Sequence, residues 1–367
     1  MSRSGRVGVG VIGAGVISGE YLVNLTTFLD LDVLFVADID VARAKAQAER
    51  YGIVGSGTVM ELLTHPEIEI VVNLTIPAAH VEVALQSLAA GKNVWTEKPF
   101  ALDRESGKRL LGEAAKLGLR VATAPDTFLG AGLQSALRLI REGAIGTPLT
   151  ALALMQSPGP DSWHPSPEFL FQEGGGPLFD IGPYYLTTLV QTFGPVQRVT
   201  GAASTSRPVR VIGSGPRAGT EFDVTVPSHH SALIEFESGA SAQAIFSFES
   251  HRRRAGLVEV SGTTGTIALP DPNTFDGDSV VFDGTDDGRR VPAVGSKSSR
   301  GTGVAEMAQA IRAGRPERAT GAQAYHILDV MVSIAESASR GETVTVESSL
   351  EKGSPVPEGW DPTVATL

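Results

Sequence analysis

The sequence predicts an α/β domain with a doubly wound parallel sheet, followed by an α+β domain with a large open, mainly antiparallel sheet. The chain has 367 residues, a length typical of about two domains at ~150 residues each. Strand-like and helix-like segments alternate over residues 6–124, which favours a parallel sheet covered by helices on both faces. From residue 196, strand-like runs follow one another without helices between them, which favours antiparallel pairing.

In the first domain, apolar runs rich in β-branched residues predict the strands, and amphipathic runs predict the helices. Glycine closes three of these helical runs, at Gly52, Gly91 and Gly118, where a left-handed C-cap favours a residue without a side chain. The predicted strands are 6–12, 33–37, 68–74, 94–96 and 121–124. The predicted helices are one after the first glycine turn and those at 41–51, 59–64, 80–90 and 104–117.

The second domain begins with a predicted helix and strand, at 134–143 and 149–156, before a segment rich in proline and glycine at 157–178. A helix from about Asp180 to Phe193 follows. The later strands are predicted at 196–203, 221–226, 230–237, 241–249, 256–261 and 264–269. The remaining predictions are loops at 270–300, helices at about 304–313 and 319–340, and a poorly ordered acidic tail from 351.

These elements place the first domain at residues 1–126 and the second at 127–350, with a tail at 351–367. The helix at about 319–340 is expected to pack back on the first domain. An open sheet face in the second domain predicts a homo-oligomer that pairs through this face, with a dimer and a tetramer both remaining open.

Composition and charge exclude several classes of function. The chain contains no cysteine, which excludes disulfides, thiolate catalysis and cysteine-based metal sites. Its formal net charge of −11 argues against a nucleic-acid partner, and Arg252–Arg254 is the single basic run of note. No apolar run reaches the ~18 residues of a membrane span. Because the N-terminus also lacks a signal-peptide pattern, we expect a cytoplasmic protein without membrane contact.

A glycine-rich turn follows the first strand and predicts a dinucleotide site. The turn reads Gly13-Ala14-Gly15-Val16-Ile17-Ser18, so its first two glycines match the pyrophosphate-binding fingerprint and Ser18 replaces the third. We therefore expect the cofactor at Gly13, Gly15, Val16 and Ile17. The alternative is a glycine turn in a domain that binds no nucleotide.

The second strand ends at Asp38, where a carboxylate can accept hydrogen bonds from the adenosine ribose hydroxyls. The same carboxylate would repel a 2′-phosphate, and Ile39 and Asp40 follow instead of an arginine. The sequence therefore favours NAD as the cofactor and leaves NADP as the alternative.

Two further strands of the parallel sheet end in residues that can carry chemistry. Because ligands bind outside the carboxyl ends of such strands, we expect Thr75, Pro77 and His80 of "NLTIPAAH" to face the cofactor. The alternative interpretation is that His80 only orients this loop. "TEKP" places Glu97 and Lys98 at the same edge, where we expect both to contact the cofactor and where a lysine can sit beside the nicotinamide and bond to a substrate hydroxyl. The alternative is an exposed ion pair between Lys98 and Glu97.

A second cluster lies in "GGGPLFDIGPYYL", residues 174–186. Asp180 and Tyr184 are four residues apart, so on one helix they would share a face, while Tyr185 would point elsewhere. The alternative makes Asp180 a helix N-cap and Tyr184 a packing residue. Spacing alone leaves both interpretations open.

Taken together, these motifs resemble the Gfo/Idh/MocA oxidoreductases, the relatives of glucose–fructose oxidoreductase, inositol dehydrogenase and dimeric dihydrodiol dehydrogenase. The resemblance rests on Glu97-Lys98-Pro99 after its strand, on "NLTIPAAH" and on "GGGPLFDIGPYY", in this order. It extends over about residues 5–345 and includes "GTTGTIALPDPNTF" (262–275) and "AYHILDVM" (324–331).

The resemblance implies a NAD(P)-binding Rossmann domain followed by a domain for substrate and oligomer contacts. It also implies that Lys98 is catalytic, that its peptide bond to Pro99 is often cis, and that Asp180 positions the substrate. Many members have a catalytic histidine where this chain has Tyr184, and some members have tyrosine there. A tyrosine with a pKa near ~10 needs a nearby cation at neutral pH, which Lys98 would supply.

The resulting hypothesis is reversible oxidation of a secondary alcohol on a sugar, polyol or cyclic diol, with Lys98 and Tyr184 as the acid–base pair and Asp180 orienting the substrate. Gln156, Trp163 and His164 are expected to line the substrate site, and no metal is needed because hydride chemistry belongs to the cofactor. Two alternatives are redox-assisted glycoside cleavage with retained NAD, and a non-catalytic NAD-binding protein.

Overall fold

A six-stranded parallel sheet organises the first part of the chain, as the computed structural model shows for the described residues, 5–284 and 287–367. Its strands are β1 (Val7–Ile12), β2 (Leu31–Ala37), β3 (Gly55–Gly57), β4 (Ile68–Asn73), β5 (Asn93–Thr96) and β6 (Val121–Thr123). They lie in the order β3-β2-β1-β4-β5-β6, and every neighbouring pair is parallel. The connecting helices are α1 (Val16–Leu25), α2 (Val41–Tyr51), α3 (Val59–Thr64), α4 (His80–Ala89) and α5 (Arg104–Leu117). The predicted doubly wound sheet is confirmed.

The central strand shows why this sheet forms. All six residues of β1 are buried, because the strand is covered on both faces, and its sequence VGVGVI is accordingly apolar throughout. Glycine is required at Gly8, where a Cβ would lie 2.0 Å from the Glu67 carbonyl oxygen. Strand β1 therefore lies at the centre of the sheet, with the glycine-rich turn at its carboxyl end.

The second sheet has nine strands in the order β16-β15-β14-β13-β7-β12-β11-β8-β17. They are β7 (Pro148–Gln156), β8 (Val196–Ser204), β11 (His229–Phe236), β12 (Ser241–Ser247), β13 (Arg254–Gly262), β14 (Thr266–Leu269), β15 (Ser279–Phe282), β16 (Arg289–Val291) and β17 (Val344–Thr345). Every neighbouring pair is antiparallel except β7 and β12, which are parallel. Strands β9 (Val209–Val211) and β10 (Glu221–Asp223) form a separate hairpin. The predicted mainly antiparallel sheet is confirmed.

The remaining helices are α6 (Ala131–Arg141), α7 (Gly176–Asp180), α8 (Gly182–Phe193), α9 (Thr302–Ala313) and α10 (Gly321–Arg340). The single helix predicted at about 180–193 is in fact α7 and α8, which are separated by Ile181. The prediction of loops throughout 270–300 is wrong, because β15 and β16 extend the edge of the large sheet there; residues 285–286 lie outside the described residues.

Two compact units divide the chain. One contains residues up to 130 together with 295–325 and 354–367, and the other contains 131–294 and 326–353. Residues 1–4 lie outside the described part. The predicted limits of 1–126, 127–350 and 351–367 remain a proposal. The two units differ from these limits because residues 295–325 belong to the first unit.

The C-terminal segment does not have the poor order expected of the tail. The indole Nε1 of Trp360 donates to Gln309 Oε1 at 2.6 Å. Asp30 Oδ1 accepts hydrogen bonds from the backbone N–H groups of Thr366 at 2.7 Å and Leu367 at 3.0 Å. These contacts fix the segment on the first unit.

Helix α9 packs closely on strand β5 within the first unit. A Cβ added to Gly303 would lie 2.0 Å from the Cη2 atom of Trp95, whose side chain is fully buried. Trp95 directly precedes Thr96 and Glu97 on the chain. Glycine at position 303 therefore sets the distance between α9 and the strand that leads to Lys98.

We predict that Gly303→Ala lowers the free energy of unfolding by about 1–3 kcal/mol, because the added methyl group overpacks the core against Trp95. Gly112→Ala is the matched control, since a Cβ at this glycine of α5 meets no atom within 4 Å. We expect that control to gain up to about 1 kcal/mol from helix propensity. Urea denaturation of both variants measures the difference, and equal changes would refute the packing argument.

Candidate active site

The glycine-rich turn after β1 leaves room for a phosphate. Gly13 has a φ of +104°, and a Cβ there would lie 2.6 Å from the Leu74 carbonyl oxygen, so only glycine fits. A Cβ at Gly15 would meet nothing within 4 Å, and no side chain caps α1 at its N-cap Gly15. Val16, the first residue of α1, is 91% exposed, and Ile17 is half-buried. An open helix N-terminus of this kind fits a pyrophosphate.

Asp38, which follows β2, stabilises this turn through its carboxylate. Its Oδ2 atom accepts from the Ala14 backbone N–H at 2.7 Å, and its Oδ1 atom accepts from the Asp40 N–H at 2.8 Å. A carboxylate offers about four acceptor positions, so two remain for ribose hydroxyls. The residues present therefore fit the adenosine and pyrophosphate parts of a dinucleotide.

The loop after β4 is held by His80. This side chain is 1% exposed, and its ring nitrogens lie 2.8 Å from the Pro99 carbonyl oxygen and 3.0 Å from the Thr75 carbonyl oxygen. Thr75 Oγ1 in turn donates to Asn73 Oδ1 at 2.7 Å. Pro77 begins a short 3-10 turn that leads into α4. Burial lowers the pKa of His80. The geometry thus favours the orienting alternative for His80, and its contact with a cofactor stays a prediction.

Glu97 and Lys98 follow β5, and the burial of Glu97 does not fit the exposed pair of the alternative interpretation. Glu97 is 7% exposed; its Oε1 accepts from the Tyr21 hydroxyl at 2.7 Å and its Oε2 from the Lys98 backbone N–H at 3.0 Å. Lys98 is half-buried, and its peptide bond to Pro99 is cis. Glu97 bonds to the lysine backbone before this peptide, and His80 contacts the Pro99 carbonyl after it. The backbone that carries Lys98 is therefore fixed on both sides.

Asp126 is a second buried carboxyl at this edge of the sheet, and sequence reasoning missed it. Its Oδ2 atom accepts from the backbone N–H groups of Gly301 at 2.9 Å and Gly303 at 3.0 Å. Burial raises the pKa of Asp126 to about 6, and the charge of Glu97 adds to this rise, while Arg300 and both N–H groups oppose it. The available signal was its position just after β6, on the carboxyl edge that also carries Lys98.

In the second unit, Asp180 is the last residue of α7 and is half-buried, whereas Tyr184 lies in the first turn of α8 and is 4% exposed. The N-cap of α8 is Ile181, so the alternative of Asp180 as its N-cap is wrong. Tyr185 points elsewhere: its hydroxyl accepts from the Gly256 N–H at 2.7 Å. Lys98 belongs to the first unit, and Asp180 and Tyr184 belong to the second.

The other predicted substrate residues also lie in the second unit. Gln156 Oε1 accepts from Arg254 Nη1 at 3.2 Å. Trp163 is 63% exposed, and its ring lies edge-on to His164, with 5.6 Å between the ring centroids. The ring of Phe169 also lies edge-on to His164, with 5.5 Å between the ring centroids. Their roles toward a substrate stay predictions.

Among the described residues, no group of three or more His, Cys, Asp or Glu side chains could hold a metal ion. Across the same part of the chain, every helix is either too short or too polar to cross a bilayer.

A doubly wound parallel sheet with an open glycine-rich turn, and with Asp38 and Lys98 at its carboxyl edge, is typical of a dinucleotide-dependent enzyme. Residues 7–124 match the NAD-binding Rossmann fold of the GFO/IDH/MocA oxidoreductases, and residues 133–268 match their C-terminal domain. The chain belongs to the GFO/IDH/MocA oxidoreductase family. It is an NAD-dependent oxidoreductase, and its first unit contains the NAD-binding Rossmann domain.

Curated relatives and solved structures agree with this assignment. Trans-1,2-dihydrobenzene-1,2-diol dehydrogenase of Bos taurus is 26% identical over 266 residues, 72% of this chain and 74% of the relative. 1,5-anhydro-D-fructose reductase of Ensifer adhaerens is 25% identical over 348 residues, 93% of this chain and 99% of the relative. A levoglucosan dehydrogenase solved with NADH and L-sorbose has the same fold, with a TM-score of 0.81 at 22% identity, over 94% of this chain and 99% of that one.

We predict that Asp126 makes the stability of the protein fall as pH rises from about 4 to about 7. Because the pKa of Asp126 is about 6 in the folded state against an ordinary value of 3.8, the folded state binds the proton more tightly than the unfolded chain does. The contribution of protonated Asp126 to the free energy of unfolding is fully present below the ordinary pKa of 3.8 and is lost as pH rises through about 6. The total loss is on the order of 3 kcal/mol.

Urea denaturation across this pH range tests the prediction with Asp126→Asn, which has no proton to lose and should flatten the profile. Asp103→Asn is the control. The Ser106 N–H caps Asp103 and lowers its pKa, so the contribution of Asp103 changes only below about pH 4. A wild-type profile retained by Asp126→Asn would exclude this assignment.

Proposed function

We propose that this protein catalyses reversible hydride transfer between NAD and a secondary alcohol of a sugar, polyol or cyclic diol. The observation that carries the proposal is the fixed backbone of Lys98, held by Glu97 and His80 at the carboxyl edge of the NAD-binding sheet. Bound NAD supplies the hydride acceptor in oxidation and, when reduced, the hydride donor. The relatives support the substrate class, because their names specify a dihydrodiol dehydrogenase and an anhydrosugar reductase.

Lys98 and Tyr184 share the acid–base work in this proposal. In oxidation, the Tyr184 phenolate oxygen takes the proton from the substrate hydroxyl; in reduction, the phenol returns it to the carbonyl oxygen. The ammonium group of Lys98 favours the phenolate, because a nearby cation lowers the pKa of a phenol. Asp180 orients the substrate by accepting a hydrogen bond from a neighbouring hydroxyl. The alternative assignment gives the proton transfer to Lys98 itself.

We predict that Lys98→Met and Tyr184→Phe each lower kcat by about 10²–10⁴-fold, the usual contribution of general acid–base catalysis. NADH absorbance over a panel of sugars, inositols and diols measures the rate, and equilibrium binding of NAD measures cofactor affinity, which should change little. Tyr185→Phe is the matched control, because its hydroxyl bonds to the Gly256 N–H and has no assigned chemistry.

The outcomes separate the candidate functions. Undiminished rates in both Lys98→Met and Tyr184→Phe would refute the acid–base assignment. Substrate consumption without net NADH would favour redox-assisted glycoside cleavage, and NAD binding without turnover of any panel compound would favour the non-catalytic alternative. If Tyr184→Phe removes the acidic limb of the pH–rate profile for oxidation and Lys98→Met only shifts that limb, Tyr184 carries the proton.

We also propose that the protein pairs through the outward face of the nine-stranded sheet. Leu154 on β7 lies between Ile245 on β12 and Leu257 on β13, and all three side chains are only half-buried. Leu233 on β11 lies on the same face, two residues after Ser231, which pairs with Ile245, and is 42% exposed. An exposed apolar cluster of this kind is typical of subunit contacts.

We expect the wild type to form a homo-oligomer in size-exclusion chromatography with light scattering, and Leu154→Arg to dissociate it by placing a charge in the apolar face. Leu117→Arg is the control, since Leu117 is 51% exposed on α5, outside this sheet. A monomeric wild type, or an oligomer that survives Leu154→Arg, would refute the proposed face.

A further inference from the structure

The segment that carries Trp163 and His164 has little regular structure of its own. Residues 157–172, named here the recognition loop, contain two short 3-10 turns, Pro160–Ser162 and Glu168–Phe171. Trp163 nevertheless keeps a defined position against His164. Contacts from another part of the second unit must therefore fix the loop.

Those contacts come from the hairpin arm, defined as residues 205–226 and built on strands β9 and β10. The arm is an insertion between β8 and β11 of the large sheet, and its two strands pair only with each other. The two strands of the arm are therefore not part of the nine-stranded sheet.

Arg210 on β9 is the strongest link between the arm and the loop. Its side chain is fully buried, and its Nη1 atom donates to the Pro158 carbonyl oxygen at 2.9 Å and to Asp161 Oδ1 at 2.6 Å. The Nη2 atom donates to the Phe248 carbonyl oxygen and to Glu249 Oε1, both at 2.7 Å. The planar guanidinium can make these paired contacts in a fixed geometry, which an ammonium group cannot reproduce.

The guanidinium also lies over the ring of Phe171, with 4.6 Å between Arg210 Cζ and the ring centroid. Phe171 ends the second 3-10 turn, and its carbonyl oxygen accepts from the Thr225 N–H of the arm at 2.9 Å. Arg210 and Thr225 therefore hold the far end of the recognition loop as well as its beginning.

The tip of the arm contacts the loop next to its exposed aromatic residues. The Gly213 N–H donates to the Asp161 carbonyl oxygen at 2.8 Å, and Ser214 Oγ donates to the Trp163 carbonyl oxygen at 2.6 Å. Arg217 forms an ion pair with Glu168 at 2.5 Å. The arm thus bonds to the loop at both turns and to the backbone of Trp163.

We propose that the hairpin arm sets substrate specificity, with Arg210 and Ser214 as positioning residues that hold Trp163 and His164 for the substrate ring. This inference rests on the proposed function, in which those two side chains line the substrate site. Because Arg210 and Ser214 act on substrate binding rather than on proton transfer, their loss should raise KM and leave kcat nearly unchanged.

Arg210→Lys and Ser214→Ala test the proposal. We expect KM for the panel sugars or diols that the wild type oxidises to rise about threefold to tenfold, as the loss of one or two hydrogen bonds implies, with kcat within about twofold. Ser214→Ala removes one half-buried hydroxyl on the otherwise exposed tip and keeps the test valid if Arg210→Lys folds poorly. Arg207→Gln is the matched control, because it removes an ion pair to the same Glu249 without any contact to the recognition loop.

Acrylamide quenching of Trp163 fluorescence is a second readout that needs no substrate. Both variants should change the quenching of this exposed indole, and Arg207→Gln should not, while the buried Trp95 and the half-buried Trp360 contribute the same background in all of them. Unchanged quenching in Arg210→Lys and Ser214→Ala would overturn the positioning role whether or not any panel compound is oxidised. Altered quenching with unchanged KM would overturn the specificity role. Failure of the acid–base assignment itself is seen separately, in Lys98→Met and Tyr184→Phe.

Discussion

The buried carboxylate of Glu97 joins the two parts of the first unit on which cofactor binding and chemistry depend. One oxygen accepts from Tyr21 on α1, the helix that begins at the pyrophosphate turn, and the other accepts from the backbone N–H of Lys98. A buried charge is tolerated only when its hydrogen bonds are satisfied, so both contacts must form together. The position of the lysine is thereby coupled to the helix that follows the glycine-rich turn.

Packing behind this carboxylate explains why distant segments of the chain belong to the first unit. Trp95 fills the space between β5 and Gly303 of α9, and Asp126 accepts from the backbone N–H groups at the start of that helix. The segment 295–325 is therefore part of the Rossmann unit, although it follows the large sheet in sequence. In the second unit, Arg210 has the equivalent role of fixing an irregular loop through buried, charged hydrogen bonds.

Periodicity and turn residues predicted most of the elements, because both signals are local. The errors occurred where long-range pairing decided the structure: β15 and β16 form in an Asp- and Gly-rich segment because β14 offers an edge to pair with. In the same way, the helix predicted from Asp180 is divided at Ile181, after a short helix that packs against β11. The sequence did not predict the roles of Asp126 and Arg210, because the burial of these side chains depends on residues far away in the chain.

The sequence by itself determined the doubly wound parallel sheet, the glycine-rich turn with Asp38 after the next strand, and the candidate residues Lys98, Asp180 and Tyr184. Spacing and residue chemistry are sufficient for these predictions. The tertiary structure decided which contacts the residues around Lys98 make. It showed that Glu97 is buried and bonds to the backbone N–H of Lys98, and that His80 contacts the Pro99 carbonyl oxygen. The physical reason is that hydrogen bonds in a buried site depend on contacts between residues far apart in the chain, which spacing along one strand does not contain.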